Sequence, residues 1–585
     1  MSHSITVSGT VTDGGGRPAR DVEVLVVDID TGLDDALGID TTTPDGRFEV
    51  TATRDDVGGV VEGDPELVVH LFDDGRHVNA NPVDGGTTGL SLTVERDRVT
   101  LDPMAMMEAA QSMHHGMGGQ RGVENIPVGP SAPGHGRFQR MFPHLTPADH
   151  DVAFLKEIGL PGGPLDESAA GSVDDGPLPS GFVFLGQFID HDITLDPLSS
   201  LTRQNDPDAL RNFRTPGLDL DSVYGAGPEA DPFRYESPFV GGDNHYLLLA
   251  DADRIDLPRN HHDTALIGDP RNDENLIISQ LHYAMLNFHN AVVDWLGDVP
   301  DLFEKAQTIV RRHYHWIVLH EYLPAVCDTD IIERVRDDGD RRFFTVEPSE
   351  QAYIPLEFSG AAYRFGHSQA RLDYRVNSGF EGPLFGMPGD TDALGTGFQA
   401  VPEHKAVNWR YLFDFDGSDV DPQPVRAIDP RLAPDLLALP FVMDAEAWRK
   451  SLASRNLVRG RQLGLPSGQA VARNIGDVPV VSNDDVGFDA ILSDHGQSQD
   501  TEMPLWYYVL AEAAHFTGGD HLGPVGSRIV AETLVGLVDS DPSSYRTVHP
   551  GWTPTLPGPH SGSNDFQIAD LLEFAVDGGY THPAQ

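Results

Sequence analysis

A heptapeptide near residue 190 carries three ionisable side chains and an amide in an otherwise apolar stretch. It reads Gly-Gln-Phe-Ile-Asp-His-Asp, residues 186–192, and follows the apolar segment Phe182–Leu185. Gln187 and His191 are four residues apart, so in a helix they share a face, whereas Asp192 lies about 100° further round. Burying such groups is costly unless they have partners or a use. The pattern indicates either proton-transfer and ligating chemistry or a capped helix end with solvated side chains.

A second segment, residues 266–280, places an arginine and acids just before an apolar helical pattern. Arg271 lies three residues ahead of Glu274 in the sequence LIGDPRNDENLIISQ. Acids in the first turn complement the partial positive charge of a helix N-terminus. That explanation is adequate for Asp273 but less so for an arginine in the same turn. Arg271 is therefore a candidate electrostatic group.

Two further segments carry polar side chains in small-residue or apolar surroundings. His367 follows Arg364 by three residues in SGAAYRFGHSQA, residues 359–370. Asn456 lies in RNLVRGRQLGLPSG, residues 455–468. A histidine in such a setting is either a hydrogen-bonded structural residue or a metal ligand, and the residues alone leave both interpretations open.

The charge balance excludes some classes of partner. The 585 residues include 91 Asp and Glu against 40 Lys and Arg, a formal net charge of −51. The acids are spread over the whole chain, a pattern that resembles the proteins of salt-in halophiles, in which salt screens the self-repulsion. Nucleic acid and anionic membranes are poor partners, because both need a basic surface. The oligomeric state is not indicated.

The terminus, the hydropathy and the cysteine content point to an ordinary soluble protein. The sequence contains no run of ~18 or more apolar residues, so no transmembrane helix is expected. The N-terminal sequence MSHSITVSGT has no basic or apolar region typical of a signal peptide. We expect a cytoplasmic protein, although unusual export routes leave no such mark. The single cysteine, Cys327, rules out an internal disulfide, and its apolar neighbours predict a buried, inert thiol.

The chain divides by pattern into three parts. Residues 1–101 alternate apolar and polar positions in five to seven short segments with Gly and Asp turns, which predicts a small β-sandwich. Residues 102–135 are rich in Met and His and then in Gly and Pro, which predicts a short amphipathic helix with a linker, or a soft-metal site. Residues 136–585 show apolar spacing of i, i+3, i+4 and i+7 in several long segments, which predicts a mainly helical domain.

Taken in order, these segments resemble one family. From about residue 136 onward the chain is similar to the animal-type haem peroxidases of the peroxidase–cyclooxygenase superfamily, and in particular to their bacterial-type members. The matching segments are GRFQRMFPHL, GQFIDHDIT, RTPGLDLDSVYG, GDPRNDENLIISQLH, AYRFGHS, RNLVRGRQLGLPSG and PLWYYVLAEA with GPVGSRIVAETLVGL. Residues 1–101 resemble a carboxypeptidase-regulatory or transthyretin-like module. The resemblance implies a mainly α fold, in which a large helical haem peroxidase domain follows a small all-β sandwich domain.

The resemblance implies a role for each residue on the peroxide-binding side of a haem. His191 corresponds to the distal histidine, which accepts a proton from hydrogen peroxide and returns it to the departing oxygen. Arg271 corresponds to the distal arginine, whose fixed charge stabilises the negative charge that develops as the O–O bond breaks. Gln187 is expected to form hydrogen bonds in the same pocket.

The resemblance also implies how a haem b is held. His367 corresponds to the ligand of the haem iron, and Asn456 to the partner of its second ring nitrogen. Arg364 is expected to contact a haem propionate, with Arg459 as an alternative.

Two carboxylates match residues that attach the haem covalently in mammalian members. Asp190 and Glu274 correspond to the carboxylates that form ester bonds to haem methyl groups. Asn275 replaces the methionine that forms a third link in myeloperoxidase, so that link is expected to be absent. The resemblance therefore implies a haem b to which both carboxylates permit ester links.

A calcium site is implied on the other side of the same helix. By resemblance its ligands are Asp192 with Thr215, the Gly217 carbonyl, Asp219 and Asp221. Oxygen ligands at alternate positions suit a loop wrapped around Ca²⁺, which takes ~6–8 oxygens. Asp221 replaces a serine of the animal enzymes, and an Asp-rich loop without an ion is the alternative.

The function implied is that of a peroxidase that reduces hydrogen peroxide, oxidises a small electron donor or a halide, and takes part in the response to oxidative stress. The alternative within the superfamily is a haem-dependent fatty-acid dioxygenase or cyclooxygenase-like enzyme, which uses a tyrosine three residues before the ligating histidine. Here that position is Arg364, and Tyr363 is expected to point in the wrong direction on a helix. A non-catalytic assembly protein that works through its β domain is a third alternative, against which His191, Arg271 and His367 together argue.

Overall fold

A computed structural model describes the chain from Ser4 to Asp577 with interruptions. The residues outside the description are 1–3, 14–16, 20–21, 29–34, 54–65, 74–75, 85–87, 95–135, 172, 196–200, 202–209, 238–242, 250–254, 347–351, 387–391, 395–396, 441, 443–445, 558–564 and 578–585. The predicted linker with its Met- and His-rich segment, residues 102–135, therefore lies outside the described residues.

Seven strands in the N-terminal part form two sheets. They are β1 (Ser4–Asp13), β2 (Val22–Asp28), β3 (Asp35–Thr41), β4 (Arg47–Thr53), β5 (Glu66–Asp73), β6 (Arg76–Asp84) and β7 (Thr88–Val94), in the orders β4-β1-β7 and β3-β2-β5-β6. The alternation in β1 buries Val7 and Val11, as a strand with one covered face requires. Gly46, with a φ of 77°, forms the turn before β4. Strands lie where the alternation predicts them, and their packing as a sandwich stays a prediction.

From Gly136 onward the described residues are mainly helical. The helices of seven or more residues are α1 (Val152–Ile158), α3 (Gly181–Ile193), α5 (Leu276–Leu296), α6 (Leu302–Ile317), α13 (Leu452–Gln462), α14 (Gly468–Ile475), α15 (Phe488–Asp494), α16 (Leu505–Thr517), α17 (Pro524–Ser540) and α19 (Ile568–Asp577). The shorter helices are α2 (Glu167–Ala170), α4 (Asp221–Tyr224), α7 (Leu323–Val326), α8 (Thr329–Ile332), α9 (Leu356–Gly360), α10 (Gly366–Gln369), α11 (Pro434–Leu437), α12 (Ala447–Lys450) and α18 (Tyr545–Val548).

Short strands and tighter or wider helical turns complete this part. The strands are β8 (Gly136–Gln139), β9 (Asp175–Pro179), β10 (Arg211–Asn212), β11 (Tyr353–Pro355), β12 (Asp373–Arg375), β13 (Glu381–Pro383) and β14 (Pro424–Arg426). The 3-10 turns are Pro232–Arg234, Pro270–Asp273, Ala362–Phe365, Glu403–Lys405, Trp409–Tyr411 and Asp484–Val486, and the π-helical turns are Val318–Tyr322 and Glu333–Asp337.

Helix α5 is the central element of the helical part. Every residue from 276 to 293 is buried, so the helix is covered on all faces, as a helix without a polar side must be. Asn275 caps its first turn by accepting a hydrogen bond from the Ile278 amide at 3.0 Å. Just before it, the Asp269 carboxylate accepts from the Arg271 amide at 2.9 Å and starts the 3-10 turn Pro270–Asp273. The two caps explain why a polar segment precedes the apolar helix.

Helix α3 packs against α5 and carries the heptapeptide. Its apolar side chains Phe184, Leu185 and Phe188 are at most 2% exposed, and this burial secures the helix. Gly186 lies directly against the Tyr322 hydroxyl group, where a side chain would collide. The absence of a Cβ therefore allows the π-helical turn Val318–Tyr322 to approach α3 closely.

Two sequence predictions about the whole chain are also tested here. Cys327 is 1% exposed, and burial raises the pKa of its thiol, so the buried, inert thiol is confirmed. Among the described residues no helix is both long and apolar enough to cross a membrane.

Candidate active site

A cavity lies between α3, the start of α5 and the segment that carries His367. Its apolar lining consists of Phe182, Val183, Phe184, Phe365, Ala370, Leu384, Phe385, Leu436 and Leu452, with Gly186 and Gly366. Its polar lining consists of Gln187, Asp190, Glu274, Asn275, Tyr322, Tyr363, Arg364, His367 and Gln369. A large apolar space with a few converging polar groups is typical of a cofactor or substrate site.

His367 stands on one wall of this cavity. The 3-10 turn Ala362–Phe365 leads into the short helix α10, which carries the histidine. The Asn456 amide, on α13, lies 2.9 Å from Nδ1 of His367. Burial, reinforced by the charges of Arg364 and Arg455, lowers the pKa of His367 to about 3. The ring is therefore neutral. The amide atom next to Nδ1 is Nδ2, so ligation of a metal through Nε2 would require the Asn456 amide to turn and accept from Nδ1 with its oxygen.

Another wall of the cavity carries two carboxylates and an amide. Gln187 and Asp190 come from α3, and Glu274 lies just before α5. Gln187 Nε2 donates a short hydrogen bond to Glu274 Oε1. The Thr194 hydroxyl donates to Asp190 Oδ1 at 2.9 Å, yet burial raises the pKa of Asp190. The structure thus brings both predicted haem-attaching carboxylates to one cavity.

His191 and Arg271 lie next to each other, behind this wall. Arg271 Nη2 donates to the His191 carbonyl oxygen at 3.1 Å, and the guanidinium forms an ion pair with Asp269 at 2.8 Å. Burial, and after it the charge of Arg271, lowers the pKa of His191 to about 3. His191 Nδ1 lies 2.8 Å from Asn272 Oδ1. Neither His191 nor Arg271 is among the residues that line the cavity.

Arg364 lines the cavity, and its Nε donates to the Ser359 carbonyl oxygen at 2.7 Å; its contact with a haem propionate stays a prediction. Arg459 is buried on α13 but does not line the cavity. The prediction that Tyr363 points in the wrong direction was incorrect. Tyr363 lines the cavity, with its ring close to that of Tyr322, and the segment Ala362–Phe365 is a 3-10 turn rather than part of an α-helix.

On the other side of α3, Asp192 meets the predicted calcium loop. Oxygen atoms of Asp192, Asp219 and Asp221 all lie within 4.8 Å of one another. Burial, followed by the charges of Asp221 and Asp219, raises the pKa of Asp192 well above its usual value. The Thr215 hydroxyl oxygen is buried with no hydrogen-bond partner in the described residues. Concentrated negative charge and an unsatisfied oxygen are what a bound cation would compensate.

Helix α6 holds the backbone of this loop. His315 Nε2 lies 2.7 Å from the Leu218 carbonyl oxygen, and Arg311 Nε donates to the Asp219 carbonyl oxygen at 2.6 Å. Gly217 lies in the same loop, and its amide donates to the Thr215 carbonyl oxygen at 2.8 Å. The sequence did not indicate these anchors, because α6 lies about 90 residues further along the chain.

The sequence also missed the side chains that surround His191. Asp269, Arg214 and Asn272 are buried beside it. Arg214 forms ion pairs with Asp221 at 3.0 Å and with Asp269 at 2.9 Å. Arg214 therefore connects the candidate cation site to the Arg271 region through two carboxylates. The segment GDPRNDEN contained two of these residues, but spacing alone did not distinguish them from helix caps.

Comparison with known proteins identifies the family. The family model described as animal haem peroxidase matches residues 196–497, just over half of the chain. The chain belongs to the animal haem peroxidase family. The matched part includes Arg271, His367 and Asn456 and begins just after α3.

Individual relatives are distant and longer. The chain is 30% identical over 179 residues to a peroxidase-like protein of Margaritifera margaritifera, covering 28% of this chain and 22% of that protein. It is 25% identical over 280 residues to the chorion peroxidase of Drosophila melanogaster, covering 43% of this chain and 32% of that protein. The chain thus matches less than a third of the length of either relative.

A solved structure supports the fold. Peroxidase A from Dictyostelium discoideum superimposes with a TM-score of 0.55 and 18% identity, covering 77% of this chain and 95% of that chain. At this identity the likeness shows the fold alone. The mainly helical peroxidase fold is confirmed.

Proposed function

We propose that this protein is a haem peroxidase that reduces hydrogen peroxide and oxidises a small electron donor or a halide. The observation that carries the proposal is the cavity in a chain of this family, with the His367–Asn456 pair on one wall. Gln187, Asp190 and Glu274 on another wall complete the arrangement.

The residues present fit a haem. The lining is mainly apolar, as a porphyrin face requires, and a neutral imidazole is the usual ligand of a peroxidase iron. Arg364 supplies a positive charge at the same cavity for a propionate. Asn456 orients the ring and, as a neutral amide, leaves the imidazole less anionic than a carboxylate partner would.

Bound haem would supply the redox chemistry that cleaves the O–O bond of the peroxide. His191 would take a proton from the peroxide and return it to the leaving oxygen. A base must be neutral to do this, and burial keeps His191 neutral because it lowers its pKa to about 3. Arg271, held by Asp269, would stabilise developing negative charge. This assignment rests on the motif and on the position of His191 and Arg271 beside Asp190. Gln187 would orient the peroxide or a water.

We also propose ester links from Asp190 and Glu274 to the haem. Both carboxylates line the cavity, and Asn275 lines it where a third link would arise. Acid–acetone extraction tests this proposal. Haem that stays with the protein supports the links, and complete extraction of the haem rejects them.

Calcium is the cation we propose for the acidic cluster behind α3. The donor set of Asp192, Asp219, Asp221 and Thr215 is made of hard oxygen atoms, and the Gly217 carbonyl is the fifth proposed ligand. Elemental analysis of the purified protein for calcium tests the assignment.

Residues 1–101 are proposed to form an accessory β-sandwich domain, joined by the linker 102–135 to the peroxidase domain 136–585. The support is the pair of sheets with buried valines on β1 and β2.

The net charge of −51 supports a protein adapted to high salt. We further propose a role in the response to oxidative stress, which follows from removal of peroxide.

Two assays separate peroxidase from dioxygenase activity. The first is a steady-state assay of peroxide consumption with bromide, iodide and a phenol in parallel, on protein whose Soret band shows bound haem. The second is oxygen uptake with a fatty acid in the absence of peroxide, because Tyr363 does line the cavity. Oxygen uptake without any peroxide turnover would overturn the proposal, as would absence of a Soret band after expression with added haem.

A further inference from the structure

One buried amide joins two buried histidines beside the cavity. Asn272 Oδ1 lies 2.8 Å from His191 Nδ1, and Asn272 Nδ2 lies 2.9 Å from His282 Nδ1. All three side chains are completely shielded from solvent, with 0% exposure. Asn272 belongs to the 3-10 turn before α5, and His282 lies on α5 itself.

The orientation of the Asn272 amide determines which ring nitrogen of each histidine carries the proton. A carbonyl oxygen only accepts hydrogen bonds and an amide nitrogen only donates them. His191 therefore donates from Nδ1, which leaves the lone pair of a neutral ring on Nε2. His282 accepts at Nδ1, so its own proton sits on Nε2. Reversal of the amide would move the proton of His191 to Nε2, and a ring with that proton has no lone pair there to act as a base.

We propose that Asn272 and His282 are positioning residues that keep the Nε2 atom of His191 available as the proton acceptor. This proposal rests on the proposed peroxidase function, because it concerns the ring nitrogen that His191 would use as the base. His282 acts only through Asn272, and Asn272 only through the Nδ1 atom of His191.

The surroundings of His282 fit this role rather than a simple packing role. Its ring packs edge-on against Phe188 of α3, with 6.0 Å between the ring centroids. Its Nε2 atom is buried without a hydrogen-bond partner in the described residues. A leucine would fill such a place without a buried polar atom, so the acceptor at Nδ1 is the feature that a histidine adds.

Another buried histidine on α5 provides a matched control. His289 is also completely buried, but it lies 3.1 Å from the Tyr224 hydroxyl and 2.9 Å from the His245 carbonyl oxygen. It has no contact with Asn272 among its hydrogen bonds. His289→Leu therefore removes a buried imidazole from the same helix without disturbing the hydrogen bonds that join His191, Asn272 and His282.

The first experiment reads the proton directly. The full-length haem protein, in its diamagnetic ferrous carbon monoxide form, is labelled with ¹⁵N-histidine in a deuterated background. Its ring signals are assigned through His191→Gln and His282→Gln. We expect His191 protonated at Nδ1 and His282 at Nε2. The opposite assignment for His191 overturns the proposal, whether or not the protein turns over peroxide.

The second experiment measures the rate constant for reaction with hydrogen peroxide by stopped flow, at matched haem content. We expect His282→Leu to lower it by ~10- to 100-fold, the usual effect of losing a partner behind a ligand or base. His282→Gln, whose amide oxygen can still accept from Asn272, should recover most of the rate. Asn272→Asp should also keep the rate, because a carboxylate still accepts from Nδ1 of His191.

The outcomes separate the two proposals. An equal rate loss in His282→Leu and His289→Leu, or no recovery in His282→Gln, overturns the positioning role while the peroxidase proposal stands. Absence of any reaction of the unmodified haem protein with peroxide refutes the peroxidase proposal, and the ¹⁵N assignment still decides the tautomer. If His282→Leu does not fold, His282→Gln and the ¹⁵N measurement carry the test.

Discussion

Removal of the proposed calcium ion should destabilise the helical domain by an amount that the acidic cluster determines. Oxygen atoms of Asp192, Asp219 and Asp221 lie within 4.8 Å of one another. Asp221 also forms an ion pair with Arg214 at 3.0 Å, and both Asp221 and Asp219 raise the pKa of Asp192. At 4.8 Å and an effective dielectric constant of about 20, two such charges repel by about 3.5 kcal/mol.

The repulsion energy can be expressed as a shift in the melting temperature, Tm. An unfolding entropy of ~2.1 cal/mol/K per residue, over about 450 residues, makes each kcal/mol worth about 1 °C. Chelation should therefore lower Tm by at least roughly 4 °C. The assay is differential scanning calorimetry at pH 7.5 in high salt, with excess calcium or with EGTA.

The shift should depend on pH in a defined direction. In the chelated protein the pKa of Asp192 is raised, by burial and by its two acidic neighbours. A carboxyl group with a raised folded-state pKa is stabilising when protonated, and this contribution is lost as pH rises through that pKa. The Tm difference between calcium-loaded and chelated protein should thus increase from pH 5 to pH 8.

Two variants control this experiment. Asp219→Asn removes one of the two acidic neighbours of Asp192, so chelation should change its Tm by less than it changes that of the unmodified protein. Asp494→Asn removes an exposed carboxylate on α15 and should leave the chelation effect unchanged. Equal Tm values with and without calcium in the unmodified protein would refute the reasoning.

The remaining predictions concern the cavity. His367→Ala should show a much weaker Soret band per mole of protein, because the proposed iron ligand is gone. His191→Ala should keep the band but react with peroxide ~100- to 10,000-fold more slowly. Equal haem loss in both variants would contradict the assignment. Because burial lowers the pKa of His191 to about 3, the base stays neutral and the peroxide rate constant should be flat from pH 5 to pH 8, and a rise of tenfold across pH 6.5 would show an ordinary, exposed histidine instead. After acid–acetone extraction, Asp190→Ala combined with Glu274→Ala should release all its haem while the unmodified protein retains it, and the single variants should each retain part.

Several features of the site were predictable because they depend on local order along the chain. The four-residue spacing of Gln187 and His191 predicted a shared helix face; both residues lie on α3, but only Gln187 lines the cavity. The separation of Asp192 from that face was also confirmed, since it meets Asp219 and Asp221. Helical periodicity predicted α5, because an apolar pattern over 21 residues has few alternatives to a buried helix.

Other features were not predictable, because they depend on elements far apart in the chain. Tyr363 was misjudged, since the sequence does not distinguish a 3-10 turn from the start of an α-helix, and that choice rotates the side chain. The partners Arg214, Asn272 and His282 carry no motif that separates them from ordinary core or capping residues. The packing of α3 on α5 and the turn before it brings Asn272 and His282 to His191.

The sequence by itself determined the family, the helix that bears the heptapeptide and the residue types available for chemistry, because residue identity and periodicity are properties of the chain. The tertiary structure decided which of these side chains share a cavity and which proton each histidine holds. His367, Glu274 and Gln187 converge on one space although they come from three separate segments. Burial then lowers the pKa of His191 and His367, and no local sequence pattern encodes the solvent exclusion that causes this.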